Sequence, residues 1–221
     1  MLPVLGIAAL ILLACGLFLG LNVPPDARQG DAVRILFVHV PAAWSAMLAF
    51  MALAAVSVAV LAGRGRLADV AAETLTPLGA LFTALGLITG SLWGKPMWGA
   101  WWVWDGRLTS FLLLLLIYLG LIALRGALKE NSQSRAAKSC AVLAIVGAID
   151  LPVIFFSVQW WTTLHQGSSI LRKGGPTMAP VYLQPLLIMA LGYTLLLGWL
   201  WGIRIRTVLL KRHLASAEAE T

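Results

Sequence analysis

Two histidines and a run of indole rings are the residues of this chain whose types can do chemistry together. His39 lies in FVHVPAAW and His165 in WWTTLHQGSS. Between them WGKPMWGAWWVWDGR runs from Trp93 to Arg107, with Trp93, Trp98, Trp101, Trp102 and Trp104 inside twelve residues. A neutral imidazole offers one nitrogen lone pair to a metal while its other nitrogen hydrogen-bonds. Indoles offer flat faces, and each good ring contact is worth about 0.5–1.5 kcal/mol beyond area burial. Lys95 and Arg107 flank the stretch and can pair with carboxylates. These residue types suit a flat, apolar macrocycle with iron at its centre and carboxylates on its rim, a porphyrin taking one axial imidazole from each side.

Simpler readings compete with this one. Tryptophans at helix ends commonly form an interfacial belt, spread around the protein at headgroup depth. A belt does not need five rings in one connection. If the segment is partly helical, Trp98, Trp101, Trp102 and Asp105 follow i, i+3, i+4, i+7 spacing and share a face. Gly94 and Gly99 let the backbone approach a neighbour closely. Arg107, two residues from Asp105, can pair with that carboxylate or with lipid phosphate as readily as with a ligand. A lone histidine at a helix end is usually a satisfied polar residue; two at one membrane edge favour a ligand role. His213, in the C-terminal tail, is read as solvated.

The elements that must position these residues are membrane helices. The chain is 60% hydrophobic and 11% charged over 221 residues, with mean hydropathy +0.90, more apolar surface than a soluble core of this length can bury. Six apolar blocks have the length of a bilayer span: Leu2–Leu21, Val38–Leu61, Thr74–Leu92, Thr109–Leu124, Cys140–Val158 and Val181–Ile203. The first lacks a basic leader and an A-x-A cleavage site, so it is expected to be retained. The fold class is therefore an all-α integral membrane protein with six transmembrane helices. Residues 1–221 form a single membrane domain, and 93–109 form an external tryptophan-rich segment.

Charge sets the expected orientation. Arg64, Arg66, Arg125, Lys129, Arg135, Lys138, Arg204, Arg206, Lys211 and Arg212 fall on one side, and only Arg28, Arg34, Lys95, Arg107, Arg172 and Lys173 on the other. The positive-inside rule makes the richer side cytoplasmic, with both termini inside and the tryptophan segment outside. The net charge of +7 is thus a topology signal and not a nucleic-acid footprint. No GxxxxGK[ST] phosphate loop and no CxxC or CxxCH motif occurs. Cys15 and Cys140 lie at different depths, too far apart to bridge. Pro41 suits the first turn of span 2. Asp150, before Pro152 in span 5, is a functional candidate by default as an intramembrane carboxylate, with a structural role preferred. Pro152 is expected to kink that helix, Gln184 and Pro185, at the opening of span 6, to serve packing or capping, and HLASAEAET to fray.

WGKPMWGAWWVWDGRLTS closely resembles the WWD signature of heme-handling proteins in cytochrome c maturation. FVHVPAAW and WWTTLHQGSS resemble the two histidine segments that flank it in the heme exporter protein C (CcmC) family. The resemblance covers nearly the whole chain, and Gly106 is the one departure, at a position where alanine is common and where glycine would loosen the segment. It implies that heme b, as transient cargo, is held at the outer face of the bacterial inner membrane. There His39 and His165 would be axial ligands, Trp93, Trp98, Trp101, Trp102, Trp104 and Asp105 the platform, and Lys95 and Arg107 supports or propionate partners. It also implies delivery to the periplasmic heme chaperone CcmE, alongside an ATP-binding subunit (CcmA), a second membrane subunit (CcmB), a small single-span subunit (CcmD) and membrane lipid. The implied role is transport and presentation, not catalysis. A membrane cytochrome b-type electron-transfer subunit is the alternative, but it would place its histidines deep within the spans.

Overall fold

The structure is a computed structural model and describes residues 2–129, 132–165, 167, 169–170 and 174–218. Gln166, Ser168, Arg172 and Lys173, on which the sequence reading drew, lie outside them, as does the tail from 219. The described residues form α1 (Leu2–Leu21), a 3-10 turn (Asp31–Ile35), α2 (Leu36–Leu61), α3 (Gly65–Trp98), α4 (Gly106–Lys129), α5 (Gln133–Gly147), α6 (Asp150–Trp160) and α7 (Pro180–Glu218). Six helical stretches are long and apolar enough to cross a membrane, with α5 and α6 together making the fifth. The protein is an all-helical, multi-pass membrane protein.

Between helices in lipid there is little hydrophobic drive, so close backbone approach and buried hydrogen bonds hold the bundle together. α2 packs along α3, α5 and α7, while α4 packs on α3, α5 and α6. At the centre Tyr118 of α4 donates its hydroxyl to the Ala46 carbonyl of α2 at 3.0 Å. Gly79 of α3 makes room for it, since a Cβ there would lie 2.1 Å from the Tyr118 ring. α1 packs along α7 through a stripe of small residues: Gly6 receives the Trp199 ring and Gly16 the Met189 side chain. The large apolar residues of α1 point away, with Val4, Ile7, Ile11 and Phe18 all exposed.

Four elements differ from expectation. The fifth span breaks in a turn at residues 148–149, and Pro152 then sits in the first turn of α6, where its missing N–H leaves no intrahelical bond unmade. α3 begins at Gly65, nine residues before the expected start. α7 continues to Glu218, so the expected frayed tail is helical through the described residues. Pro41 lies at the sixth position of α2 and is buried inside the helix, deeper than a first turn.

The two extensions have a common cause. Asp69 and Glu73, one turn apart on α3, meet Arg125 of α4 and Arg212 of α7. Arg212 reaches Glu73 at 2.5 Å and Arg125 reaches it at 3.3 Å, and Asp69 pairs closely with Arg125. The Gln133 amide of α5 joins the cluster beside Asp69 and Arg212. Glu73 lies about 37 Å along α3 from Trp98, at 1.5 Å per residue, slightly more than the hydrocarbon thickness. The tryptophan segment and the ion cluster thus lie at opposite ends of the bundle. Because the pairs are mostly buried, removing one partner strands charge, at a cost of about 3–5 kcal/mol. Arg125→Ala is accordingly expected to lower the melting temperature in detergent sharply. Arg125→Ala with Asp69→Asn should recover part of the loss, and equal melting of single and double variants would count against the cluster as a unit.

Candidate functional site

The site is assembled at the tryptophan end by three connections between helices. α3 ends at Trp98 because Gly99 adopts φ 75°, a left-handed cap, and bonds its N–H to the Lys95 carbonyl at 3.0 Å. Lys95 folds over this end, donating Nζ to the Gly99 carbonyl at 3.0 Å and lying 5.9 Å from the Trp101 ring centre. Residues 100–105 are not helical. The shared helical face of Trp98, Trp101, Trp102 and Asp105 is therefore not formed: the cap breaks the periodicity, and the rings divide between two surroundings.

Asp105 starts the next helix. Its Oδ1 accepts the Leu108 N–H at 2.8 Å, the N-cap bond of α4. Its Oδ2 faces the other way, accepting the Thr163 hydroxyl in a short bond and the His165 Nδ1–H at 3.2 Å. The segment carrying His165 is held by the same helix pair. α6 ends at Trp160, and Trp161 leaves in extended conformation with its ring laid on Gly106, where a Cβ would fall 2.9 Å from it. Gly106 therefore does not loosen the segment; it seats an indole. Arg107 reaches across to α6, donating to the Ser157 hydroxyl and to the Ile154 and Phe155 carbonyls at 3.3–3.4 Å. No bond from Arg107 to Asp105 is formed among the described residues.

His39 is placed by α3. Its Nδ1 lies 3.0 Å from the Gly86 carbonyl and 3.2 Å from Thr89 Oγ1. The Thr89 hydroxyl gives its proton to the Leu85 carbonyl at 2.7 Å, so Nδ1 of His39 must be the protonated nitrogen. Gly90 allows the approach, since a Cβ there would lie 2.8 Å from the imidazole. Trp93 stands edge-on to His39 at 5.6 Å and bonds Gln29 through its ring nitrogen at 3.2 Å. Trp98 stands edge-on to His165 at 4.9 Å. Each histidine thus has one indole of α3 beside it.

The remaining rings form a second surface. Trp102 and Trp104 meet at 5.4 Å, edge to face. With Trp101, Leu87, Ile88, Leu92 and Leu112 they line an open apolar groove of about 570 Å³. Trp101 and Trp104 are exposed; the Trp102 ring nitrogen is buried without a partner among the described residues. The Ser91 hydroxyl ties the segment to α3 through the Trp101 carbonyl at 2.8 Å.

Both imidazoles are therefore bonded through Nδ1 and keep the Nε2 lone pair, the state required of a metal ligand. Burial lowers the His165 pKa below its ordinary value, and Arg107 adds to this, while the Asp105 carboxylate opposes both without reversing them. Burial pushes the Asp105 carboxyl upward, but the bonds from Leu108, Thr163 and His165 outweigh it and hold the group below its ordinary value. At neutral pH the pair is carboxylate and neutral imidazole.

Comparison with known proteins places the whole chain in a family. The heme exporter protein C family (CcmC) matches residues 1–220. The chain belongs to that family. Relatives named heme exporter protein C include one from Bradyrhizobium diazoefficiens, 49% identical over 98% of this chain and 82% of its own length. Those of Haemophilus influenzae (42%, over 95% of this chain and 85% of the relative) and Escherichia coli K12 (40%, over 94% and 83%) are similarly complete.

All ten residues singled out in the sequence lie at this end, but their partners were not foreseen. Gly86, Thr89 and Thr163 orient the histidines, and Asp105 serves His165 across 60 positions of sequence, which no local pattern announces. Asp150 stays buried, with Oδ2 lacking a partner among the described residues. His213 is exposed.

The pH behaviour of His165 tests its surroundings. A depressed imidazole pKa stabilises the fold fully above about pH 6.5, the unfolded value, and that contribution is lost as pH falls toward the folded pKa. Asp105, also depressed, contributes above about pH 3.9 and loses this only in stronger acid. In ¹⁵N-histidine spectra His165 is expected to titrate below pH 6.5 from an Nδ1–H tautomer, and lower still in Asp105→Asn. An Nε2–H tautomer, or titration above 6.5, would contradict the geometry.

Proposed function

We propose that this protein binds heme at the tryptophan end and presents it to a periplasmic chaperone for cytochrome c maturation. The observation that carries the reading is the matched state of two histidines from distant parts of the chain, each spending Nδ1 on the protein and keeping Nε2 for iron. The relatives' name, heme exporter protein C, supports the same cargo. On this reading His39 and His165 are the axial ligands of heme b, and Asp105 and Thr89 fix their tautomers. Carboxylate and carbonyl partners of this kind raise ligand basicity and typically govern metal affinity 10–100-fold.

The tryptophans then divide the remaining work. Trp93 and Trp98 wall the histidines, and the exposed faces of Trp101, Trp102 and Trp104 offer stacking surface to the ring or to the chaperone. Lys95, exposed at the rim, can leave the Gly99 carbonyl for a propionate. Arg107 acts by holding α6, and through it the His165 segment. The site faces the periplasm from the bacterial inner membrane, by the excess of Lys and Arg at the other end. Heme is cargo here, and the chain's part is to position it. The chaperone partner is of the CcmE family, and the subunits CcmA, CcmB and CcmD supply ATP binding and the rest of the exporter.

The reading is tested by absorption spectra of the purified protein titrated with hemin. Wild type is expected to give a six-coordinate, low-spin spectrum and to pass heme to added CcmE. His39→Ala or His165→Ala should give five-coordinate heme, and the double variant should lose specific binding. Asp105→Asn keeps the N-cap acceptor but turns its amide N–H₂ toward His165, so it should weaken binding about 10–100-fold with the fold retained. An unchanged spectrum in the double variant would overturn the axial assignment.

A further inference from the structure

The loop between α1 and α2 reaches His39 through Trp93. The Trp93 ring nitrogen donates to Gln29 Oε1 at 3.2 Å, across 64 positions of sequence. The same indole stands edge-on to His39 at 5.6 Å, with the two ring planes 68° apart. His39 lies against a stripe of α3 made by Gly86, Thr89, Gly90 and Trp93, at i, i+3, i+4 and i+7. Gly86 and Thr89 hold Nδ1, and Gly90 makes room for Cε1, where a Cβ would come within 2.8 Å. The χ2 torsion of histidine has broad wells, so contacts at that edge alone leave the ring free to rock. Trp93, nearest the end of α3, supplies the stop. An indole has an equally soft χ2 and serves as a stop only when its own plane is fixed. The bond to Gln29 fixes it.

A glutamine can do this only from a held backbone, because a long side chain loses much rotamer freedom on being fixed. The loop provides that backbone. The Asp26 carboxylate accepts the Arg28 and Gln29 N–H groups, both at 2.9 Å. Asp26 and Gly30 exchange backbone bonds at 2.8 and 3.1 Å. Gly30 closes the loop at φ 54°, a conformation that glycine adopts without steric cost. On either side Val23 and Val33 are buried. Arg34 donates to the Val23 carbonyl at 3.4 Å, and Tyr182 of α7 donates to the Pro24 carbonyl at 3.2 Å. The loop is pinned at both ends and closed between them, with the Gln29 amide oxygen presented to Trp93.

We propose that Gln29 is a positioning residue for His39, acting through the plane of the Trp93 ring. The consequence for iron binding rests on the heme reading above; the link from Gln29 to His39 does not. Edge-to-face ring contacts depend on geometry, so releasing the indole lets the imidazole turn Nε2 away from the direction it now holds. The effect is confined to His39, because His165 is oriented by Asp105 and Thr163.

The test uses ¹⁵N-histidine and ¹⁵N-tryptophan spectra of the full chain in detergent, followed by hemin titration. Gln29→Leu is expected to move the Trp93 indole N–H signal and the His39 ring signals, and to leave those of His165 in place. It should weaken hemin binding about 2–10-fold, as loss of one hydrogen bond implies. The same loss is expected in His165→Ala, where His39 is the remaining ligand, and no further loss in His39→Ala. Gln29→Glu keeps an acceptor at the same reach and should recover most of the affinity. If Gln29→Leu fails to fold, Trp93→Phe removes the donor, keeps a ring and should move the His39 signals selectively. His39 signals that stay in place in these variants, or an equal loss of affinity in the His39→Ala and His165→Ala backgrounds, would overturn the proposal. A wild type that takes up no hemin would end the heme reading, and the histidine spectra would still decide the link.

Discussion

The carboxylate of Asp105 is the hinge of the histidine end. One oxygen caps α4 at Leu108, and the other receives Thr163 and the His165 ring. A single side chain therefore couples the place where α4 begins to the orientation of an imidazole sixty residues later. The coupling works because a carboxylate is an acceptor at both oxygens. An amide of the same shape can satisfy the cap or the histidine, but not both. The residue is 8% exposed, and burial without these donors would be costly; with them, the carboxylate remains ionised and fixes the ring's tautomer. The second histidine reaches the same state by other means, a backbone carbonyl and a threonine whose proton is already committed.

A bilayer limits where such polar machinery can be built. Within the hydrocarbon the backbone must satisfy itself, and in α3 the threonines return their hydroxyls to their own helix. Apart from the turn at residues 148–149 within the fifth span, irregular backbone among the described residues lies at the ends, where residues 100–105 and 161–165 meet. The bundle is consequently polar at two poles and apolar between. At one pole neutral imidazoles stand among indoles; at the other, two carboxylates and two guanidiniums neutralise each other across three helices. Those ion pairs set the relation of α3, α4 and α7 at the end remote from the histidines, and these are among the helices on which the tryptophan segment rests.

The spans were legible because hydropathy over about twenty residues is a strong local signal. The candidate residues could be singled out because histidine and clustered tryptophan are rare, and the structure gathers them at one end of the bundle. What was not legible depends on partners distant in sequence. The start of α3 at Gly65 was hidden because Asp69 and Glu73 lower the hydropathy, and only Arg125 and Arg212 make them affordable there. Pro152 signalled a disturbance in the fifth span, but not that a turn at 148–149 separates α5 from α6, nor that α6 meets α4 through Arg107. The helical spacing of Trp98, Trp101, Trp102 and Asp105 misled, because Gly99 supplies a left-handed cap and Asp105 a new N-cap six residues on. One helix-ending and one helix-starting signal outweighed the periodic pattern.

That interruption has a consequence for hand-over. A continuous helix would have stacked the rings on one face, all toward the same neighbour. The cap at Gly99 instead leaves Trp93 and Trp98 beside the histidines and carries Trp101, Trp102 and Trp104 to a separate groove, where Trp101 and Trp104 are exposed. On the proposed reading, a ligand gripped at its iron can then be contacted at its edge by a second protein without breaking the axial bonds first. Transfer becomes a series of partial exchanges, each giving up one contact as another forms. A single enclosing pocket would require all of them to be lost before any were regained, and that sum sets a far higher barrier.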